Sequence, residues 1–186
     1  MLEASIFVIF PFCMAFAAVS DLLSMTIANR VSLILVAAFL VLAPLTGMDW
    51  GQYGMHIAVF AAVLCATFGL FAAGGMGGGD AKLIAATSIW IGYDFALFEY
   101  VLFSALAGGA LTMLILYYRK SPLAVYTGGY SLLRNLADKD VGVPYGVALA
   151  VGGLIVYPET PLMQWALARV AGAYRPQPFY KPAIIV

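Results

Sequence analysis

Two aspartates in an otherwise apolar chain have the chemistry to act as an acid–base pair. Asp21 ends the first long apolar run, and Asp80 follows Gly74, Gly75, Gly77, Gly78 and Gly79, with only Met76 interrupting the glycines. Glycine has no Cβ, so such a run lets the backbone turn tightly, pass close to a neighbour and deliver an acid where bulkier residues leave no room. Two carboxyls held close together cannot both ionise, so one keeps a proton while the other loses it. The ionised member then serves as general base for a water, and the protonated member donates to a carbonyl oxygen as general acid. That chemistry cleaves a peptide bond, and the pair titrates jointly. The sequence offers no His/Glu zinc spacing and no Ser/His/Asp arrangement, so neither a metal nor a cofactor is expected. Taken singly, either aspartate also fits a solvated helix end, and the glycines fit a plain connector.

The elements that must position these acids are dictated by composition. The 186 residues are 64% hydrophobic and only 10% charged, with a mean hydropathy of +0.99. A soluble domain is nearer half apolar and a quarter charged, so the chain reads as an integral membrane protein whose partner is the lipid bilayer. Its formal net charge is zero and its nine basic residues form no run, which excludes a nucleic-acid-binding surface. Cys13 and Cys65 lie in separate apolar stretches and read as free thiols.

The predicted fold is all-α and polytopic, with about six transmembrane helices. Apolar segments cover residues 4–22, 30–46, 55–73, 81–93, 95–118 and 142–157, of which 81–93 is short for a crossing. Pro11 is expected to kink the first, which has no lysine or arginine before it and no small-residue cleavage site after it, so no removable signal is expected. His56, beside Trp50 and Tyr53, reads as a local hydrogen-bond partner with no functional role. Residues 119–141 are the most polar stretch and are expected to lie partly along the membrane surface as an amphipathic helix. The expected division is a membrane domain over 1–157 and a tail over 158–186, with a short amphipathic stretch around Trp165 and a loosely ordered end.

Alternating the connections sorts the charges. Arg30, Lys82, Arg119, Lys120, Arg134 and Lys139 fall on one face, whereas Asp49 and Asp94 occupy the opposite connections, with Glu3 and Glu99 near that face. The positive-inside rule makes the basic face cytoplasmic and the N-terminus external. Asp21 and Asp80 then share the cytoplasmic face, where an ionisable group at a membrane boundary is a functional candidate. Arg169, Arg175 and Lys181 in the tail run against this pattern.

The residues themselves resemble a known family. Gly77-Gly78-Gly79-Asp80 is similar to the GxGD motif of membrane aspartyl proteases. The stretch from Asp21 to Asn29 resembles the region of the first catalytic aspartate in type IV prepilin peptidases, with Ala28 where that family usually has proline. Pro144-Tyr145-Gly146-Val147-Ala148 is similar to the segment opening the family's last helix. The resemblance covers roughly residues 5–157 and implies Asp21 and Asp80 as the catalytic pair, with Gly77, Gly78, Gly79, Asn29, Lys82, Pro144, Tyr145 and Gly146 shaping the site. It looks like the small TadV/CpaA-type branch, without the N-terminal domain that larger members use for methylation. The implied substrate is a pilin precursor with a short basic leader, cut after a glycine at the cytoplasmic face of the bacterial inner membrane. An archaellin-type or general intramembrane aspartyl protease keeps the same chemistry. A small ion-coupled transporter is the rival of another class, although transporters tend to hold their charges near the midplane between repeated halves.

Overall fold

A computed structural model describes residues 1–122, 126, 135–138 and 141–172. Helix α1 spans Leu2–Ser24, α2 Asn29–Leu45, α3 Trp50–Ala72, α4 Gly78–Ile91 and α5 Phe95–Lys120. Helix α6 covers Tyr145–Val156, a 3₁₀ turn follows over Tyr157–Glu159, and α7 covers Pro161–Val170. Each of the six apolar segments read from the sequence is therefore a helix, and the fold is the all-α polytopic one expected. By length and composition α1, α3 and α5 are each able to cross a membrane, and α6 with α7, bent by 51°, adds a fourth if the pair is one span. Most of the amphipathic segment expected over 119–141, and the loosely ordered end of the tail, fall outside the described residues.

Helix α4 is the centre of the bundle. Its 14 residues give a rise of roughly 21 Å, short of the ~30 Å hydrocarbon core. Apart from Asp80 and Lys82 near its start it is largely apolar, and past Lys82 it is almost entirely buried among α2, α3, α5 and α6.

Local chemistry explains the helix ends. Asp49 caps α3, its Oδ2 accepting from the Gly51 amide at 2.8 Å, and Asp94 is the N-cap of α5. The acids on that face are thus committed to helix starts. Ala28, the N-cap of α2, adopts φ −64° and ψ 130°, the torsions a proline would impose, so the loop keeps its course without one. α1 runs unbroken through Pro11.

At the end remote from Asp21 the bundle is closed by rings. Phe10 stacks on Tyr157 at 4.2 Å and tilts against Trp90 at 5.3 Å, and the Trp90 indole donates to the Leu35 carbonyl at 2.9 Å. His56 is buried, with Nδ1 2.7 Å from the Ile89 carbonyl and its ring on Phe39, a packing and hydrogen-bonding part as expected. Helix α7 docks on α1, where the Arg169 Nε lies 3.1 Å from Glu3 Oε1 and the guanidinium covers Trp165. This pair accounts for Arg169 on the acidic face: its charge is matched by Glu3. Cys13 and Cys65 are free thiols.

Candidate active site

Asp21 and Asp80 open onto one cavity of about 680 Å³. Its wall includes Met25, the loop residues Gly74 to Gly77, Gly142, Val143 and Tyr145. Asp21 lies in the last turn of α1, 6% exposed, and Met25 ends that helix in the left-handed conformation (φ 52°, ψ 30°), its amide bonded to the Asp21 carbonyl. The Asp21 carboxyl is met by α6: the Gly146 amide donates to Oδ2 at 2.6 Å. Gly146 sits in the first turn of that helix, where amides lack intrahelical partners and the helix dipole favours an anion.

Asp80 belongs to the first turn of α4, at the end of the glycine loop and outside the helices long enough to span. Its carboxyl folds back over Gly77, whose amide donates to it, the arrangement of a capping box in which an N3 acid satisfies the N-cap amide. Burial first, and then the charge of Asp21, push the Asp80 carboxyl up to about 6, against the lowering effect of the Gly77 amide. Each carboxyl thus has one backbone donor, and the charge of Asp21 reaches Asp80 across the cavity.

The glycines divide by task. Gly74 alone in the run has a positive φ, 75°, and supplies the turn. Three of the other four are set by close approach: a Cβ on Gly77 would stand 2.9 Å from Asp80 Oδ2, one on Gly78 3.2 Å from the Phe71 ring, and one on Gly79 3.2 Å from the Ile27 Cβ, whereas one on Gly75 would meet only the Leu70 carbonyl at 3.4 Å. Gly146 is the tightest of the motif glycines, with Asp21 Oδ2 and Ile27 Cδ1 both 2.8 Å from where its Cβ would be. Pro144 is the N-cap of α6, and Tyr145 faces the cavity with its ring against Gly108.

Asn29 and Lys82 are brought together, but elsewhere. Lys82 Nζ donates to Asn29 Oδ1 at 2.9 Å in a second groove lined also by Val36, Phe60 and Leu64, so neither belongs to the wall around the aspartates. Met25, Gly142 and Val143 were not legible as site residues. Met25 carries no side-chain signature for its conformation, and the other two enter the wall only through the way α6 is led in.

An all-helical membrane protein with paired carboxyls in a cavity at one end of its bundle has the form of a membrane peptidase. The model of the type IV leader peptidase family matches residues 8–117, more than half of the chain and a span holding both aspartates, and the chain belongs to that family. No curated protein and no solved structure matches it. Membership implies a peptidase acting on a protein substrate. Pro144, Tyr145 and Gly146 lie beyond the matched span.

Proposed function

We propose that the chain is an aspartyl endopeptidase that removes the short basic leader of a type IV or Flp-type pilin precursor at the cytoplasmic face of the bacterial inner membrane. The observation that carries this reading is the pairing of Asp21 and Asp80 on one cavity, each with a backbone donor and Asp80 raised by burial and by Asp21's charge. Asp80 holds the shared proton and donates it to the scissile carbonyl oxygen, while Asp21, whose carboxylate accepts the Gly146 amide, takes a proton from the attacking water. The water adds to the carbonyl carbon, and as the resulting gem-diol collapses Asp21 passes the proton it took to the departing amine while Asp80 recovers a proton from a hydroxyl of the gem-diol. Gly74 to Gly77 expose backbone along the cavity, an edge suited to hydrogen-bonding an extended leader.

The positive-inside rule, applied to the basic connections, supports a cavity on the cytoplasmic side, where the leader of a precursor would lie. Co-expression with a pilin precursor tests the reading. The wild type converts precursor to the shorter mature form, and Asp80→Asn, inserted at the same level, leaves it uncut. Full conversion by the inserted variant would overturn the proposal.

A further inference from the structure

We propose that Arg119 is a positioning residue of the aspartate site, acting through the connection that leads into α6; this rests on the peptidase reading above. In the sequence Arg119 is one of several cations marking a membrane face. In the structure its guanidinium is spent on three carbonyls: Nε donates to Leu136 at 2.9 Å, and Nη2 to Val141 at 2.8 Å and Gly142 at 3.1 Å. Residues 141–144 have no regular secondary structure, so what their carbonyls bond to sets their course. Gly142 and Val143 wall the cavity, Pro144 caps α6, and the Gly146 amide then reaches Asp21 Oδ2 at 2.6 Å. A continuous chain of bonds therefore runs from the last turn of α5 to the Asp21 carboxyl. Asn135 adds a tie from the same region, its Nδ2 donating to the Leu23 carbonyl at 3.0 Å beside Asp21's own turn.

A residue that served only as a topology signal would not need this geometry. Lysine carries the same charge but is a point donor, whereas the planar guanidinium bridges several acceptors at fixed angles. Lys120 alongside supplies that charge already. Arg119→Lys thus separates the two roles, keeping the cation and losing the fork.

The test uses the purified full chain in phospholipid-containing micelles and a pilin-precursor substrate, with insertion verified by cysteine labelling. Arg119→Lys is expected to lower kcat on the order of tenfold or more, with KM changed by less than about threefold. It is also expected to move the acidic limb of the pH–rate profile to higher pH, because a carboxylate that loses an N–H donor is easier to protonate. The other titratable groups on the cavity wall, Asp80 on α4 and Tyr145 on α6, are unchanged by the substitution. A loss of rate with an unmoved acidic limb would make Arg119 merely structural and overturn the proposal, as would an unchanged rate. If the lysine variant does not insert, Arg119→Gln is read in the same way, and failure of both to insert makes Arg119 an assembly residue and also overturns it. A wild type that leaves the precursor uncut overturns the peptidase reading itself and this proposal with it.

Discussion

Asp80 and Lys82 are two positions apart on α4, yet they serve different spaces. Two residues along an α-helix turn a side chain through roughly 200°, so the acid faces the deep cavity while the base faces a shallower groove of about 440 Å³ between α2 and α3. On the first face the neighbours are backbone amides and a second carboxyl. On the other they are Asn29, Val36, Phe60 and Leu64. Among the described residues neither aspartate has an ion pair with lysine or arginine. A cation beside Asp80 would hold it ionised and spoil a shared proton; the helical period keeps Lys82 from doing so. Lys82 instead pins α4 to the start of α2.

The contrast can be broken most severely from the acid side. Gly146→Val puts branched carbon where 2.8 Å separates the ideal Cβ from both Asp21 Oδ2 and Ile27 Cδ1. Cleavage is expected to fall by on the order of a hundredfold or more as α6 is displaced, measured as precursor processing at matched insertion; near-wild-type processing would show that the α6 amide is dispensable. Gly79→Val meets Ile27 at 3.2 Å and should impair the rate less.

Proton binding at Asp80 gives a smaller effect with a defined sign. The carboxyl is raised from 3.8 to about 6 in the fold, so the folded chain binds this proton more tightly than the unfolded chain does. The associated stability is complete below the unfolded value and is lost as pH rises through about 6. In micelles, Asp80→Asn should therefore lose less thermal stability than the wild type between acid and neutral pH. Parallel slopes for the two proteins would contradict the burial of this carboxyl.

On the basic side the expected changes are modest. Lys82→Gln breaks one exposed hydrogen bond, costs about 1 kcal/mol at most, and should leave kcat within about threefold of wild type. A loss as deep as that of Gly146→Val would place Lys82 in the acid–base apparatus and erase the difference between the faces. Smallest of all is Ala28→Pro. The backbone already has the torsions of proline, so thermal denaturation should show a gain of about 0.4–1 kcal/mol, and a loss would mean that the Ala28 amide is needed.

Much of this architecture was legible because it follows from local rules. Apolar run length fixed the six helices to within a few residues, and a glycine run ending in an acid pointed to Asp80. The alternation of charged connections put Asp21 on the same face, and the resemblance supplied the Pro144-Tyr145-Gly146 segment. What could not be read were relations set by packing between remote elements. Nothing local to Gly146 says that its amide meets Asp21, because that depends on how α1 and α6 cross. Asn29 and Lys82 lie beside motif residues in the sequence and yet turn away from the cavity, since neighbours on a helix point in different directions. The glycines also act differently than torsional freedom suggests: only Gly74 needs a positive φ, whereas Gly77 to Gly79 are needed for room.

The central claim is that Asp21 and Asp80 work as one unit. Its most direct test is single-turnover cleavage of a pilin precursor by the purified chain and by Asp21→Asn, Asp80→Asn and the double variant. Each single substitution should cost on the order of a thousandfold or more, and the double variant should be no slower than the slower single one, because members of a unit fail together. Losses that multiply in the double variant, or substantial turnover in either inserted single variant, would contradict it.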